Sequence, residues 1–548
     1  MAENGPIDIG RRKFIQLTGA AAAGTAIAGC SDFTAFALES RAALLTGKPG
    51  SPTMPVPPLP DPIREGRASA PATRVRIPYA NGPVNPSVVE DDIPTTLPFE
   101  FKTSGYTCAL DLPDVMQPWR DRSAERIDAA PHDADGVRMF EVDGKLYDHP
   151  VGQIQFGLQN ITSYRQTSDL FFLNRAKAQA QRLIDRRVET RGAWYFPYPF
   201  DWAQAVHTGI AYTAPWYSGM AQGEALSLFS QLAQLGAVSE AERTLYKTAA
   251  DGAFASLLRA DDAKPWVIAK DSAGYLWIHE YPIDAPGTSD YTFNGFMFAA
   301  LGLWDYYQLT RNPLAEQLFD GSLTTFNAYF PAMRNKGWLS HYCLTHQIPS
   351  SSYHPVHINL LRQIQWLSSS ARHAYLSDVL MDDYPYPTLG ANGGTIAFTA
   401  GSYTFYKFDG TGAVTSSTAV SFARDTQAPA SQRVRIQGRG VHYLIKEGAY
   451  AGWYVPEYFP KVYLLGEWFR SVYRPQRTAT FPANVSITCH KVDANGTITA
   501  TKTVEFASDS NAPFDRRSIV NGRPMVQITA GSLTGFWAPS SHVLTDGR

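Results

Sequence analysis

Hydrophobic positions recur with two different periods along the chain, and the changes of period divide it into regions. Residues 97–150 alternate in steps of two, and Val137–Tyr147 around Asp143-Gly144 predicts a β-hairpin, because Asp-Gly favours a two-residue turn. Across 151–385 apolar residues recur every three or four positions, which predicts helices. From 386 onward the period is two again. The pattern therefore predicts a small β region, a helical domain and an all-β C-terminal part.

The helical region contains about seven helical patterns joined by loops rich in aromatic residues and glycine. Ser239 followed by Glu242 predicts a capping box at the start of one helix. Asn312-Pro313 predicts the start of another, because proline is favoured at the first helical position. Periodicity alone supports a helical domain without specifying how the helices close.

The C-terminal β region contains an internal repeat. Phe398–Phe422 compares with Phe481–Phe506, and Gly438-Arg439 recurs as Gly522-Arg523 at the same offset. We therefore predict two all-β modules, residues 386–475 and 476–548. Two copies are too few for a solenoid. The modules resemble tandem modules appended to exported bacterial cell-wall proteins, and both attachment to the cell wall and a purely stabilising role remain open.

The N-terminus predicts an export signal. Arg11-Arg12 precedes a short apolar run, typical of the twin-arginine route and too short to span a bilayer. Ile27–Cys30 matches a bacterial lipobox, so we expect Cys30 to carry a lipid anchor, although an ordinary cleavage site before a cysteine is the alternative. Residues 1–30 are thus assigned to the signal, and the proline-rich residues 31–96 to an extended tether. The expected location is the cell envelope, lipid-anchored or secreted.

Charge and cysteine content narrow the function further. A net charge of −2 gives no basic excess for nucleic acid. Cys108, Cys343 and Cys489 are far apart and have no metal-binding spacing, so neither a disulfide framework nor a zinc site is predicted. Aromatic residues make up 13% of the chain, which suits sugar binding as well as a well-filled core.

Three sequence islands carry a resemblance to a known family. They are Trp216–Glu224, then His279–Pro282 leading to Asn294–Met297, and finally Tyr353–Asn359. Together they resemble the C-terminal helical domain of the D-glucuronyl C5-epimerases, which invert C5 of uronic acids in polysaccharides. The resemblance implies a multidomain α+β chain with an (α/α) toroid as its catalytic domain. It also implies a uronic acid polysaccharide as substrate and no cofactor.

Inversion at C5 requires a titratable group on each face of the sugar and donors that neutralise its carboxylate. The resemblance assigns these two roles to Tyr281 and Tyr353, with Glu280 and Tyr342 in support. His357 is expected to begin a helix whose N-terminus either holds the carboxylate or lowers the pKa of Tyr353. Gly219 is expected, with Gly223, to permit close approach of another helix or of substrate. A metal site is not predicted. The expected substrate-binding residues, with the first two as a stacking platform, are Trp216, Tyr217, Gln222, Asn294, His354, His357 and Asn359.

One stretch departs from the family pattern. Animal members carry Tyr-Asp-Leu-Arg shortly before the last island, whereas residues 337–344 contain no arginine. An ungapped alignment places Ser340 and Cys343 at the tyrosine and arginine positions, and a gap restores Tyr342 alone. The carboxylate would then need a different partner, or the substrate differs. The candidate partners are His341, His346, His354 and the more distant Arg362.

Three other functions remain open at this point. A polysaccharide lyase begins with the same proton abstraction and then eliminates the 4-O substituent. A glycoside hydrolase needs two carboxylates across the bond, for which Glu280 with Glu224 or Asp290 are the candidates. A catalytically inactive protein that binds a wall polysaccharide is the third.

Overall fold

The computed structural model describes residues 62–63 and 94–548, except 129, 204–210, 261–264, 284–288 and 494–495. A helical region is followed by two β-sheet modules, so the chain is a mixed helix and sheet protein as predicted. The twin arginine, Cys30 and most of the predicted tether lie outside the described residues. In the described part, no helix is both long and apolar enough to cross a membrane.

The region before the helices is largely extended and lies against them. It contains a short 3-10 helix, Asp114–Met116, and the predicted hairpin, formed by β2 (Phe140–Val142) and β3 (Lys145–Tyr147). Phe140 pairs with Tyr147, and both turn residues have positive φ, so the hairpin prediction is confirmed. A two-residue strand, β1 (Pro62–Ile63), pairs with strand β8 of the helical region, whose bounds are given below.

Eight α-helices follow within the described residues, arranged as four consecutive helical hairpins. The first helix of each hairpin packs against the first helix of the next, so α1, α3, α5 and α7 form an inner row. The helices are α1 (Pro150–Thr167), α2 (Leu170–Arg186), α3 (Gly219–Ala233), α4 (Glu240–Ser256), α5 (Phe293–Thr310), α6 (Pro313–Met333), α7 (Tyr353–Ser368) and α8 (Ala371–Asp383).

Local sequence signals account for the helix starts. Ser239 and Glu242 form the predicted capping box at the start of α4. The Asn312 side chain accepts a hydrogen bond from Leu314 N at the start of α6, directly before Pro313. Both predictions are confirmed.

Glycines let α3 and α5 approach each other closely. A Cβ on Gly223 would lie 2.2 Å from Ala299 Cα, and one on Gly302 would lie 1.7 Å from Gly223 O. A Cβ on Gly219 would lie 2.5 Å from His279 O, in the segment that enters the site. The predicted close approach of another helix is therefore confirmed at Gly223, whereas Gly219 packs against a connecting segment.

Short strands connect one hairpin to the next, at the end of the inner row where α3 and α5 begin. They pair antiparallel as β4 with β5, β6 with β7, and β8 with β9. Their bounds are β4 (Val188–Thr190), β5 (Ala193–Tyr195), β6 (Trp202–Ala203), β7 (Ala211–Tyr212), β8 (Ile268–Asp271) and β9 (Leu276–Ile278).

The two C-terminal modules have the same topology. Their strand orders are β12-β11-β15-β14-β13-β10-β16 and β19-β18-β22-β21-β20-β17-β23, so each strand of module 1 has one counterpart in module 2. Module 1 comprises β10 (Gly394–Phe398), β11 (Gly401–Phe408), β12 (Val414–Phe422), β13 (Thr426–Ile436), β14 (Gly440–Ile445), β15 (Tyr454–Pro456) and β16 (Val462–Leu464). Module 2 comprises β17 (Glu467–Phe481), β18 (Ile487–Val492), β19 (Ile498–Val504), β20 (Ser510–Val520), β21 (Arg523–Ile528), β22 (Trp537–Pro539) and β23 (Leu544–Thr545).

Strand β17 crosses the predicted module boundary at 476 and joins module 2 to the helices. It pairs with β20 from Glu467 onward, so the second sheet begins before that boundary. Trp366 Nε1 on α7 donates to Val472 O at 3.1 Å. The Tyr473 hydroxyl donates to Asp378 on α8 at 2.8 and 2.7 Å. Module 2 is therefore docked on the last helical hairpin.

Candidate active site

Three tyrosine side chains meet at the end of the helical region where the inner helices begin. We call Tyr281, Tyr342 and Tyr353 the phenol cluster. The rings of Tyr342 and Tyr353 have centroids 4.6 Å apart, and the side chains of Tyr342 and Tyr281 are hydrogen-bonded. Tyr342 is 2% exposed, whereas Tyr281 and Tyr353 are partly exposed. Tyr281 and Tyr353 thus retain some exposed surface, and Tyr342 contacts both of them.

Burial keeps two of these phenols protonated. Loss of solvent raises the pKa of Tyr281 well above the usual value for tyrosine, and the charge of Glu280 raises it further. The hydrogen bond from Tyr342 opposes that rise. Burial likewise raises the pKa of Tyr342, and the same hydrogen bond adds to the rise. This hydrogen bond therefore favours ionisation of Tyr281 and disfavours ionisation of Tyr342.

Glu280 is a buried carboxyl group beside the phenol cluster. It is 5% exposed, and Asn294 Nδ2 donates to its Oε2 at 3.2 Å. The Tyr281 side chain and the backbone of Gly295 also hydrogen-bond to it. Desolvation nevertheless raises the pKa of Glu280 to about 8. A Cβ on Gly295 would lie 2.2 Å from Oε2, so glycine at this position leaves room for the carboxyl group.

The starts of two inner helices position these groups. Tyr353 is the first residue of α7, and Asn294 is the second residue of α5. The segment carrying Tyr342 is held to the start of α5 because Phe293 N donates to Tyr342 O at 3.2 Å. Helix N-termini carry partial positive charge, so the cluster lies in a region that favours an anion.

A second buried carboxyl group, Glu224 on α3, lies near Glu280. Gln155 Nε2 on α1 donates to Glu224 Oε1 at 2.8 Å. Burial raises the pKa of Glu224 well above its usual value, the charge of Arg122 opposes the rise, and the charge of Glu280 adds to it. Burial raises the pKa of the Tyr198 hydroxyl well above its usual value, and the charges of Glu224 and Glu280 raise it further. The site therefore extends inward from the phenol cluster along the inner row.

Sequence reasoning missed Tyr198, Gln155 and Arg122 as members of this site. Tyr198 belongs to an aromatic run between two short strands, which was a usable signal. Gln155 lies within α1, where nothing in the local pattern distinguishes it. Arg122 comes from the extended region before the helices and lies over the rings of Trp119 and Phe298, at 5.2 and 5.8 Å.

Several buried polar atoms of the site have no hydrogen-bond partner among the described residues. They are Glu224 Oε2, Asn294 Oδ1 and His357 Nε2. All three residues lie on inner helices, at or below 1% exposure. Because an unpaired buried polar atom is costly, such atoms mark positions that a ligand or water would satisfy.

The first island does not form the expected stacking platform. Trp216 is 5% exposed, one face stacks on Tyr198 with centroids 3.8 Å apart, and its Nε1 donates to Phe200 O. Tyr217 is 6% exposed. Both rings belong to the core, because neither has a face open to a sugar.

Gln222 is likewise structural. Its amide donates to Trp194 O at 2.7 Å and to the Ser256 hydroxyl at 2.8 Å, and it accepts from Phe196 N at 3.1 Å. These bonds tie α3 to its neighbours and leave no group for a substrate hydroxyl.

The last island, Tyr353–Asn359, differs from the expectation in where its helix begins and in what its histidines contact. Helix α7 begins at Tyr353 rather than at His357. His354 Nε2 contacts Tyr384 O at 2.9 Å and its Nδ1 accepts from Ser340 N, so both ring nitrogens hold the protein together. His357 Nδ1 contacts the Ser340 hydroxyl at 2.8 Å. The two histidines therefore fix the segment that carries Tyr342.

Burial also sets the charge of these histidines. It lowers the pKa of His354 to about 4 and that of His357 to about 3, so both are neutral at pH 7. Asn359 is exposed and accepts from the Tyr386 hydroxyl at 3.1 Å, away from the phenol cluster.

The candidates for the missing arginine have other roles. Arg362 is directed toward module 2, where its Nη2 donates to the Ser471 hydroxyl at 3.1 Å. His341 Nδ1 contacts Ala332 O at 2.8 Å. His346 lies 3.4 Å from Asp290 Oδ1 and is partly exposed. Among these candidates His346 thus combines access to solvent with a carboxylate close to the site.

The described residues contain no group of three or more His, Cys, Asp or Glu side chains that could hold a metal ion. The cysteines in this part of the chain, Cys108, Cys343 and Cys489, are buried and form no disulfide. Burial raises the pKa of the Cys343 thiol to about 12, which leaves it protonated at neutral pH.

Comparison with known proteins relates the site to a family. Residues 188–380 match the family model of the D-glucuronyl C5-epimerase C-terminus. This range contains Tyr281, Tyr342, Tyr353, Glu280 and Glu224. No curated protein matches the chain.

Some solved structures are distantly similar. An unsaturated glucuronyl hydrolase from Streptococcus agalactiae is 13% identical, over 43% of this chain and 58% of that chain, with a TM-score of 0.29. An unsaturated glucuronyl hydrolase specific for heparin is 14% identical, over 43% of this chain and 61% of that chain, with a TM-score of 0.30. A D-mannose isomerase is 15% identical, over 48% of this chain and 68% of that chain, with a TM-score of 0.32.

The chain thus spans about three fifths of the length of the two hydrolases. These similarities are too distant to bear on its chemistry. The family match has a definite extent, and it includes the site. Over residues 188–380 the chain is therefore a match to the D-glucuronyl C5-epimerase C-terminus, and the resemblance predicted from the three islands is confirmed there.

Proposed function

We propose that the protein is a carbohydrate epimerase that inverts C5 of uronic acid residues within a polysaccharide. The observation that carries this proposal is the phenol cluster beside the buried carboxyl group of Glu280. Tyr281 and Tyr353 are partly exposed, so they can flank one sugar, and Tyr342 is hydrogen-bonded to Tyr281. The match to the epimerase C-terminus over the same residues supports the assignment.

The proposed reaction moves one proton on each face of the ring. The reactive state has Glu280 ionised, which is the minor form at pH 7 for a pKa of about 8. Tyr281 takes the C5 proton while its own phenolic proton passes to the Glu280 carboxylate, and the electron pair of the broken C–H bond moves onto the substrate carboxylate. Tyr353 then donates its phenolic proton to C5 from the opposite face. Glu280 returns its proton to Tyr353 through solvent, which completes the cycle.

The negative charge that develops on the carboxylate needs donors in a low-dielectric site. The N-terminal ends of α5 and α7 supply partial positive charge there. In our proposal Arg122 and the partly exposed His346 take the place of the absent family arginine. We also propose that the inner row of helices closes into an (α/α) toroid, which would form the walls of the cleft.

A polysaccharide lyase is the main alternative, because it shares the first step. Soluble protein is incubated with glucuronate polymers in D₂O, and C5 is followed by NMR together with absorbance from unsaturated uronate and release of reducing ends. Deuterium at C5 without chain cleavage supports the epimerase. An absorbance increase would establish the lyase, and new reducing ends would establish a hydrolase that uses Glu280 and Glu224.

Export and lipid anchoring remain proposals, since Arg11-Arg12 and Cys30 lie outside the described residues. Metabolic labelling with a fatty acid tests the anchor. Label that is lost in Cys30→Ala supports it, and unchanged label refutes it.

A further inference from the structure

Module 1 exposes an aromatic loop that the proposed chemistry does not use. We call residues 457–463, which comprise the connection from β15 to β16 and the first two residues of β16, the aromatic loop. Tyr458 is 61% exposed and Phe459 is 42% exposed. In the described part of the chain, the other large hydrophobic side chains with high exposure are aliphatic. Two adjacent exposed aromatic rings therefore form an unusual surface on this protein.

Two cations lie against these rings. Lys461 Nζ is 5.9 Å from the centroid of the Tyr458 ring, and Arg523 Cζ is 5.2 Å from that of Phe459. Neither cation forms an ion pair with a carboxylate among the described residues. The nearby Glu457 is already bound by Arg433, at 2.7 and 2.9 Å. The surface is thus aromatic and positively charged.

The loop is held firmly at the junction of the two modules. The rings of Phe459 and Tyr463 have centroids 5.7 Å apart. A Cβ on Gly522 would lie 2.3 Å from Tyr463 Cβ, so the turn before β21 packs directly on the loop. Arg523, next to this turn, is thereby fixed beside Phe459. A preorganised surface loses less entropy when it binds a ligand.

Module 2 shows that the shared strand order does not require this loop. The counterparts of β15 and β16 are β22 and β23, which are joined by Ser540-Ser541-His542-Val543. That connection contains no phenylalanine, tyrosine or tryptophan and no lysine. The exposed rings and Lys461 therefore belong to module 1 alone and serve something other than folding of the sheet.

Contacts place the aromatic loop on the side of module 1 that meets the helical domain. Arg433 binds Glu457 in the loop, and Arg435 on the same strand donates to Asp382 O at 2.9 Å near the end of α8. Tyr384, just beyond that end, contacts His354 at the start of α7. The start of α7 carries Tyr353, so the loop and the phenol cluster lie toward the same end of the helical domain.

We infer that the aromatic loop with Arg523 is a second binding site for a uronic acid polysaccharide, outside the cleft. Exposed rings contact the apolar face of a pyranose, and Lys461 and Arg523 pair with uronate carboxylates. The substrate class rests on the proposed function. A long polymer would contact both the cleft and the loop, which raises its effective concentration at the cleft. A short oligosaccharide in the cleft would not gain from the loop.

Binding is tested with unsulfated heparosan and with neutral dextran, on the full soluble chain. Tyr458→Ala/Phe459→Ala/Lys461→Gln is compared with Ser541→Ala/His542→Ala at the matching position of module 2. We expect the first variant to raise the Kd for heparosan at least tenfold and the second to leave it unchanged. Binding should weaken as salt rises, and dextran should bind neither variant nor the parent protein. Equal heparosan binding by the parent and the aromatic-loop variant would overturn the inference, as would tight binding of dextran.

A second measurement separates this site from the cleft. If heparosan is turned over, the aromatic-loop variant should keep its kcat on a tetrasaccharide and show a raised KM on the polymer only. An equal rise of KM on both substrates would contradict a separate site. If no uronate polymer is turned over, the binding comparison still tests the inference, because a Kd measurement does not depend on catalysis. The loop variant should also keep the thermal unfolding temperature of the parent, since its three side chains lie on the surface.

Discussion

Two buried polar networks in this protein differ in how completely their atoms are paired. Where module 2 docks on α8, Asp378 accepts from the Tyr473 hydroxyl and from Arg477, and Arg477 also binds Asp546. In the candidate active site, by contrast, Glu224 and Asn294 each leave one buried oxygen without a partner.

The contrast distinguishes buried polar networks that stabilise the fold from those that serve the function. A fully paired network repays the cost of burying charge and holds two parts of the chain together. A network with unpaired atoms costs stability, and proteins accept that cost mainly where a ligand completes the pairing. We therefore expect changes in the docking network to alter stability, and changes in the site to alter activity.

The largest expected effect is on activity. Tyr281→Phe removes the hydroxyl proposed to take the C5 proton, and general acid–base groups contribute roughly 10²- to 10⁴-fold. We expect a loss of that order in C5 deuterium exchange, with an unchanged unfolding temperature. Tyr307→Phe, at the far end of α5, is the control and should keep full activity. Exchange at the parent rate in Tyr281→Phe would contradict the proposed role.

The next effect is on stability. Arg477→Met leaves Asp378 buried without its cation, and breaking a buried pair costs about 3–5 kcal/mol. We expect a clear fall in unfolding temperature, with activity retained below it. Lys247→Met removes the exposed pair with Asp251 and should cost less than about 1 kcal/mol. Similar losses in the two variants would show that the docking network is not structural.

A smaller loss is expected in the same network. Tyr473→Phe removes a hydroxyl that donates to both oxygens of Asp378. Hydrogen bonds to charged groups contribute about 1.5–3 kcal/mol, so chemical denaturation should show a decrease in that range. The double change with Arg477→Met should cost less than the sum of the single changes, because both act on one carboxylate. Strict additivity would argue against a shared network.

The smallest expected effect is a pH dependence. The pKa of Glu280 is raised to about 8 by burial, so the folded chain keeps a proton that the unfolded chain releases near its ordinary pKa. Stability should therefore fall as pH rises from about 4.5 to about 8 and level off above that, where both states have lost the proton. Glu280→Gln removes this contribution. The unfolding temperature of the variant, relative to that of the parent, should therefore rise by a few degrees between pH 5 and 9. Glu240→Gln, which is exposed, should show no such gain. A constant difference across pH would contradict the buried-acid assignment.

Features that depend on residues close together in the chain could be predicted from the sequence, whereas features that depend on residues far apart in the chain could not. The capping box at Ser239 and the turn at Asp143-Gly144 involve neighbours in the chain, so local pattern was sufficient. Gln222 was misassigned because its partners, Trp194 and Ser256, are distant in sequence. No period or motif marks such contacts.

The site was predictable in part for the same reason. The resemblance identified Tyr281 and Tyr353, and the structure brings their side chains into one cluster. It left Ser340 and Tyr342 as alternatives, which the fold separates, since Ser340 bonds the histidines and Tyr342 contacts the phenols. Arg122 could not be found, because it comes from an extended segment without periodicity and reaches the site only through tertiary packing.

The space beside Gly295 has a consequence for how related chains can be sorted. A methyl group there would collide with the Glu280 carboxyl group, so a single hydrogen-to-methyl replacement is enough to expel the acid from its position. Homologues with alanine at this position are thus expected to have lost turnover even where every tyrosine persists. The residue at position 295 would then distinguish active from inactive homologues in a survey of genomes.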